Sequence, residues 1–170
     1  RSSSLSTSSA FGRPMAMLMS PVPLTSTCYA NIDQLTTERD TSPSQRKIMQ
    51  GHHFARGEWG GDWHPEFAPQ PGDIVAQEHW GSSGFANTDL DFQLKQHGIT
   101  HVVVVGLLAN TCIEATARYA TELGYHVTLV KDATAALKRE MMHAVHELNG
   151  PTYAHSILSS RDLIAAIPTV

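Results

Sequence analysis

The 170-residue chain is 41% hydrophobic and 16% charged, with a formal net charge of −4. A chain of this size can bury about 70% of its unfolded surface within one domain. The charge is small and negative, and lysine and arginine form no stripe along any predicted helix, so no nucleic-acid partner is predicted. No apolar run approaches the roughly 20 residues of a membrane-spanning helix, so no membrane partner is predicted either.

The start of the chain differs from the rest in composition. Residues 1–13, RSSSLSTSSAFGR, are rich in serine, and the first acidic residue is Asp33. This composition is typical of a disordered arm, with an organelle transit peptide as the alternative. We therefore expect a leader over 1–13 and a single domain over 14–170. The expected location is the cytoplasm, or an organelle matrix if the leader is a transit peptide. Cys28 and Cys112 lack disulfide or zinc-site spacing, which indicates a reducing compartment.

From residue 72 onward, strand patterns alternate with helix patterns. Valine-rich runs are typical of strands buried on both faces, while capping residues and glycines mark the ends of helices. Strands are predicted over 73–78, 101–105, 126–130 and 155–158. Helices are predicted between Thr88 and Gly98, and over 112–123, 138–148 and 161–167. The alternation predicts an α/β fold, in which a mainly parallel sheet has helices on both faces and ligands bind at the carboxyl ends of the strands.

Cys112 is the most informative residue, because it follows the apolar run HVVVVGLL at the predicted start of a helix. Thr111 and Glu114 have the spacing of a capping box, which predicts Thr111 as N-cap and Cys112 as the first helical residue. A helix N-terminus favours thiolate over thiol, and its N–H groups are suited to hold an oxyanion. A small buried hydrophobic residue is the alternative, and the placement alone leaves both interpretations open.

Four segments carry a resemblance to a known family. They are QPGDIVAQEHW, the Ser-x-Phe of Ser83–Phe85, TDLDFQLKQHGI and VVVVGLLANTCIEATARYATELGYHVTLVKDATAA. From about Ser42 to the C-terminus the chain resembles the isochorismatase-like cysteine hydrolases, which include nicotinamidases, isochorismatases and N-carbamoyl amidohydrolases. The resemblance implies a Rossmann-like three-layer fold, a homo-oligomer and Cys112 as the nucleophile of a covalent mechanism. It also implies a cis peptide bond at Leu108–Ala109 and an oxyanion hole formed by the amides of Ala109 and Cys112.

The chain departs from the family pattern at the other two catalytic positions. The family's aspartate ends its first strand, but no aspartate before residue 72 of this chain follows an apolar strand. The aspartates in that region are Asp33, Asp40 and Asp62. The family's lysine falls where this chain has Gln77, Glu78 and His79. Glu78 and His79 are candidates for relaying a proton from Cys112, and a structural histidine at a strand end is the alternative.

The missing aspartate suggests a missing strand. In the family, the first strand lies between the segments that correspond to Met15–Met19 and Val102–Val105. Without it, both neighbours would have unpaired backbone groups, which are costly when buried. Three explanations stay open: an incomplete N-terminus, a substitute segment before residue 42, or a strand supplied by a partner.

Aromatic residues concentrate in the two segments expected to frame the pocket. The predicted substrate-binding residues are Trp59, Trp63, Trp80, Ser83, Phe85 and Leu108. Such walls suit a flat or apolar small molecule, but tryptophans serve equally well in a core or a subunit interface. The Asp-x-His spacing of the metal site in nicotinamidase-like relatives is absent, so the sequence predicts no metal and no cofactor.

The predicted function is therefore that of a cysteine hydrolase. The expected substrate is a small amide, ureido or isochorismate-like vinyl-ether molecule, cleaved through a covalent enzyme intermediate. The alternative is a non-catalytic family member that binds a small molecule or acts as an oligomeric interaction module, because two of the three catalytic positions are not recognisable.

Overall fold

The computed structural model describes residues 65–71, 73–76, 82–86 and 88–167, and the backbone of residues 15–20. Within these ranges, four parallel strands form one sheet in the order β1-β2-β3-β4. The strands are β1 Met15–Ser20, β2 His101–Leu107, β3 His126–Ala135 and β4 Ser156–Leu158. This sheet confirms the predicted α/β class.

The helices of the described ranges lie between these strands and after β4. They are α1 Leu90–Gln96, α2 Glu114–Glu122, α3 Arg139–His143 and α4 Ser160–Ala166. Two π-helical segments extend them: Ala109–Ile113 leads into α2, and Ala144–Asn149 continues α3. Short 3-10 turns span Pro65–Phe67 and Gly150–Thr152. None of the helices in these ranges combines the length and the apolar character needed to cross a membrane.

The valines of β2 are buried on both faces of the sheet, which places helices on both sides. Val102 and Val104 belong to the larger core, together with Leu94 of α1 and Ala117 of α2. Val103 and Val105 belong to a second core that contains Leu163 of α4. Alternate residues of a strand point to opposite faces, so one valine run fills both cores. The prediction of a strand covered on both faces is thus confirmed.

β1 pairs directly with β2. The register runs from Met15 opposite His101 to Ser20 opposite Gly106, over six residue pairs. The expectation that a missing strand leaves a gap between these segments was wrong, because the backbone groups of β2 find their partners in β1 itself. β1 ends at Ser20, so the strand beside β2 does not end in an aspartate.

A strand was predicted over 73–78, but the residues of this segment that the structure describes do not form one. Residues 73–76 have no strand conformation, and Gln77 and Glu78 lie outside the described residues. The segment begins in a turn, where the N–H of Asp73 donates to the Gln70 carbonyl at 2.9 Å. The Gln70 N–H donates in return to Asp73 Oδ2 at 2.7 Å, and such side-chain bonds to the backbone compete with strand pairing.

The predicted C-terminal ends of α1 and α2 agree closely with the structure. Thr88 Oγ1 accepts the N–H of Leu90 at 3.2 Å, although Asp89 is the N-cap residue. Gly98 and Gly124 follow the two helices with φ values of +66° and +89°. Glycine adopts this left-handed conformation without the steric penalty of a Cβ atom, which explains why each helix stops there.

Candidate active site at the carboxyl edge of the sheet

Cys112 lies directly after the carboxyl end of β2. It belongs to the π-helical segment Ala109–Ile113, which we call the cysteine turn. A cis peptide bond joins Leu107, the last residue of β2, to Leu108. The prediction of a cis bond at Leu108–Ala109 was therefore wrong by one residue, because Leu108 already starts the connection to the helix.

The helix around Cys112 begins earlier than the capping-box pattern predicts. Its N-cap is Leu108, and the Leu108 carbonyl accepts the N–H groups of Thr111 and Ile113 at 3.1 and 3.2 Å. The predicted partner of Thr111, Glu114, instead forms an ion pair with Arg118 at 2.8 Å. The predictions of Thr111 as N-cap and of Cys112 as first helical residue were thus wrong. Backbone carbonyls bond the N–H groups that the capping box would have used, since Leu108 accepts from Thr111 and Ala109 accepts from Glu114, and Cys112 is the fourth residue of the helical segment.

The Cys112 side chain is half-buried, and its neighbours hold the turn against the core. Ala109 and Ile113 are fully buried and lie four residues apart, on the same face of the helix. The Thr111 hydroxyl donates to Cys112 Sγ at 3.7 Å. Within the described residues, this hydroxyl is the one hydrogen-bond partner that the sulfur has. The thiol therefore lies between the core and the surface, where a small molecule can reach it.

Three N–H groups of the cysteine turn, those of Ala109, Asn110 and Cys112, do not donate to the Leu108 carbonyl. The Leu108 oxygen accepts from Thr111 and Ile113 but not from Cys112, which lies between them. Ala109 opens the helical segment, where the first N–H groups have no carbonyl partner within the helix. Ala109 and Cys112 are the two predicted oxyanion donors, and that role stays a prediction.

Asn110 is a polar residue of the turn to which the sequence analysis gave no role. Its Oδ1 is buried and has no hydrogen-bond partner among the described residues. A buried acceptor without a partner costs about 1–3 kcal/mol, so such an atom is a candidate for contact with a bound molecule. Its position two residues before Cys112 was the available sequence signal.

The loop that contains Ser83 and Phe85 packs on the same helix as Cys112. The N–H of Gly84 donates to Thr116 Oγ1 at 2.9 Å, and Thr116 lies one turn after Cys112 on the same helix face. Ser83 Oγ accepts the N–H of Phe85 at 3.2 Å, and both side chains are buried. Phe85 is 4% exposed and lies in the larger core, and its predicted substrate contact stays a prediction, as does that of Ser83.

β3 has an irregularity beside the end of β2, immediately before the cysteine turn. Val104 pairs with Leu129 but Gly106 pairs with Thr134, so β3 bulges between these pairs. Thr134 Oγ1 donates to the Lys131 carbonyl at 3.1 Å and lies 3.1 Å from Nε2 of the buried His146. These contacts close the bulge and let β3 pair with the end of β2, immediately before the cysteine turn.

Asp132 lies within the block VKDATAA, and its side chain links β3 to α4. Its carboxylate accepts the backbone N–H and the hydroxyl of Ser160 at 2.7 and 2.6 Å. These hydrogen bonds from Ser160 lower the pKa of Asp132, because they favour the charged form. Asp132 thus ties the bulge of β3 to the start of α4.

The helix that carries Cys112 is fixed on its outer side by a charged cluster. Arg118 pairs with Glu114 and lies over the Tyr153 ring at 4.3 Å. Asn149 Nδ2 donates to the second Glu114 oxygen at 3.5 Å. Burial, followed by the charge of Glu114, raises the pKa of Tyr153 to about 12, so this phenol is neutral near pH 7.

Leu108 is described, half-buried and directly before the cysteine turn, and its substrate contact stays a prediction. The remaining predicted site residues lie outside the described residues. They are Trp59, Trp63, Glu78, His79 and Trp80.

A cleft lies at the opposite, amino edge of the sheet. Its volume is about 310 Å³, and it is lined by Thr100, His101, Thr121, Gly124, Tyr125, His126 and His155. The three histidines stand at the start of β2, at the start of β3 and just before β4. In the described part of the chain, no three His, Cys, Asp or Glu side chains are placed to hold a metal ion.

The histidine at the centre of this cleft predicts a loss of stability in acid. Burial, then the neighbouring His155 and His101, lower the pKa of His126 below its ordinary value of 6.5. As the pH falls through 6.5, the unfolded chain binds a proton at this position before the folded chain does, so the free energy of unfolding decreases. Urea-unfolding midpoints should fall between pH 8 and pH 5. His126→Gln should reduce this dependence, whereas the same substitution at the exposed His143 should leave it unchanged; equal pH dependence in both variants would refute the assignment.

The geometry of the carboxyl edge first defines a class: a parallel α/β protein with a half-buried thiol in the helical turn that follows a central strand. The family follows from comparison with known proteins. Residues 21–155 match the model of the isochorismatase domain. The chain therefore belongs to the isochorismatase domain family.

Three similar proteins illustrate this relationship. The ureidoacrylate amidohydrolase RutB of Pantoea ananatis is 41% identical over 90 residues, which cover 53% of this chain and 36% of that protein. The solved isochorismatase-like hydrolase of Alkaliphilus metalliredigens is 32% identical with a TM-score of 0.59, over 65% of this chain and 61% of that chain. The N-carbamoylsarcosine amidase of Thermoplasma acidophilum is 28% identical with a TM-score of 0.56, over 82% of each chain. The matches to curated ureidoacrylate amidohydrolases cover between 36% and 50% of their length.

Proposed function

We propose that this protein hydrolyses a small amide or ureido compound and that Cys112 is the nucleophile. The placement of Cys112 carries the proposal: a half-buried thiol lies just past the carboxyl end of a central strand, where ligands of parallel α/β sheets bind. Relatives named as ureidoacrylate amidohydrolase and N-carbamoylsarcosine amidase cleave bonds of this chemical class.

The proposed reaction has two halves. The Cys112 thiolate attacks the carbonyl carbon, the C–S bond forms, and the carbonyl π electrons move to the oxygen. The N–H groups of Ala109 and Cys112 hold this oxyanion. Collapse of the intermediate breaks the C–N bond and expels the amine, which takes up the proton that Cys112 released. This step leaves a thioester from an amide or an S-thiocarbamate from a ureido compound, and water then cleaves the C–S bond to release the carboxylic or carbamic acid and the thiol. Glu78 and His79 are the proposed route for the thiol proton.

Asn110 favours amide and ureido substrates over vinyl ethers. Its buried Oδ1 accepts no hydrogen bond from the described residues, and it lies two residues from the nucleophile. An amide or ureido group offers an N–H donor to such an acceptor, whereas a vinyl-ether oxygen offers none. The unpaired acceptor is therefore better satisfied by nitrogen-containing substrates.

A substrate panel tests the proposal. The chain is incubated with ureidoacrylate, an N-carbamoyl amino acid, a simple aromatic amide and isochorismate, and product release is measured for each. We expect hydrolysis of at least one of the first three and a faster rate for it than for isochorismate. Mass spectrometry during turnover should detect an acyl adduct on the peptide that contains Cys112 but none on the peptide that contains Cys28.

The panel also separates the catalytic proposal from a binding module. Binding of a panel compound without turnover and without an adduct would support a non-catalytic family member. Turnover without any adduct on Cys112 would contradict the role of this residue while leaving the activity in place.

A further inference from the structure

The cleft at the amino edge of the sheet contains three stacked imidazoles. The ring centroids of His101 and His126 are 4.6 Å apart, and those of His126 and His155 are 4.3 Å apart. Parallel pairing places His101 beside His126. The backbone N–H of His155 donates a hydrogen bond to the Val127 carbonyl at 2.9 Å. The register of three neighbouring strands therefore builds the stack.

The hydrogen bonds of the stack restrict where a proton can be added. The Val127 N–H donates to His155 Nδ1 at 3.1 Å, which keeps that nitrogen as an acceptor. The Thr100 hydroxyl lies 2.9 Å from His101 Nδ1. The Nδ1 atom of His126 is buried without a hydrogen-bond partner among the described residues. The central ring is thus the member whose hydrogen bonding is incomplete.

Among the described residues, the titratable groups stacked on His126 are themselves imidazoles. His101 faces it from β2 and His155 from the segment before β4. The adjacent Tyr125 directs its hydroxyl away, towards Asp91 Oδ1 at 2.9 Å. The described lining of the cleft consists of these histidines, Tyr125, Gly124 and two threonines.

We propose that this cleft binds a small oxyanion, such as a sulfate, phosphate or carboxylate group, together with a proton taken up by the histidine stack. A protonated imidazole donates from both nitrogens and carries a positive charge. An oxyanion supplies acceptor oxygens and the opposite charge, and hydrogen bonds of this kind are stronger than those between neutral groups. A cleft of about 310 Å³ is large enough for a small ligand.

This site is independent of the proposed hydrolase function. It lies at the start of β2, whereas Cys112 follows the end of that strand, and seven residues of strand span roughly 20 Å. Failure of hydrolysis would leave the anion site untouched, and failure of anion binding would leave the hydrolase proposal untouched.

Calorimetric titration with sulfate tests the inference, because sulfate keeps its double charge between pH 6 and pH 8. At constant ionic strength set with chloride, we expect sulfate to bind about tenfold more tightly at pH 6 than at pH 8. The heat of binding at pH 6 should depend on the ionisation enthalpy of the buffer, which reports proton uptake. Acetate in a parallel titration distinguishes the ligands: equal binding points to a carboxylate site, and weaker binding to a site for sulfate or phosphate.

Substitutions test whether His126 causes the pH dependence of sulfate binding. His126→Gln should abolish the pH dependence of sulfate binding, whereas the matched control His143→Gln should keep it. His155→Gln serves as a second test variant if His126→Gln does not fold at pH 8. Sulfate affinity that is equal at both pH values, absent at both, or reduced as much by the control as by His126→Gln would overturn the proposal.

Discussion

Replacement of Cys112 by alanine should lower the rate of amide or ureido hydrolysis by roughly 10⁴-fold or more. Removal of the nucleophile eliminates the covalent route, and losses of this size are typical when a nucleophile is deleted. Stability should change little, within about 1 kcal/mol, because the side chain is half-buried and alanine is a good helix former. The measurement is kcat/KM for the best substrate of the panel, together with urea unfolding of both proteins.

The chain offers a matched control for this substitution. Cys28 is its other cysteine, so Cys28→Ala removes a thiol and leaves the sequence of the cysteine turn unchanged. We expect Cys28→Ala to retain activity within about twofold, because the proposed mechanism uses the Cys112 thiol and not the Cys28 thiol. A Cys112→Ala protein that is folded and keeps more than a tenth of the activity would contradict the nucleophile assignment.

The strands and helices of the central and C-terminal parts could be predicted because their signals are local. The valines of β2 are hydrophobic at every position since both sheet faces are covered, and Gly98 and Gly124 adopt the backbone conformation that ends a helix. Each of these signals lies within the element that it defines. For this reason the predicted order of strands and helices from His101 onward agrees with the structure.

The start of the cysteine turn could not be predicted, because the competing partner is not visible in the pattern. The capping-box rule assigns the N–H groups near Thr111 to side chains. In the structure the Leu108 carbonyl accepts from Thr111 and Ile113, and Glu114 pairs with Arg118 instead. The choice depends on how the chain leaves β2, which the spacing of Thr111 and Glu114 does not encode.

Features that depend on strand register could not be predicted from the sequence either. The bulge of β3 is closed by a contact between Thr134 and His146, twelve residues apart. The histidine stack requires the first residues of β2 and β3 to lie side by side. The roles predicted for Glu78 and His79 stay predictions, because both residues lie outside the described part of the chain.

Replacement of Ile113 by alanine should lower the free energy of unfolding by about 2–5 kcal/mol, the range for deleting a large buried aliphatic side chain. Ile113 is fully buried in the larger core, and its backbone N–H donates a hydrogen bond to the Leu108 carbonyl. It immediately follows Cys112, so the cavity forms beneath the cysteine turn itself. Urea unfolding at neutral pH gives the energy, and activity is measured at a temperature where the variant remains folded.

Leu94→Ala is the matched control, because Leu94 is fully buried in the same core but lies on α1. We expect both variants to lose stability in the same range and only Ile113→Ala to lose activity as a folded protein, by about tenfold or more, since a small displacement of a reacting group is costly. The stability loss of Ile113→Ala does not depend on the hydrolase proposal, whereas its activity loss does. Equal kcat losses in the two folded variants would mean that the core as a whole, and not the packing beneath the cysteine turn, positions the thiol.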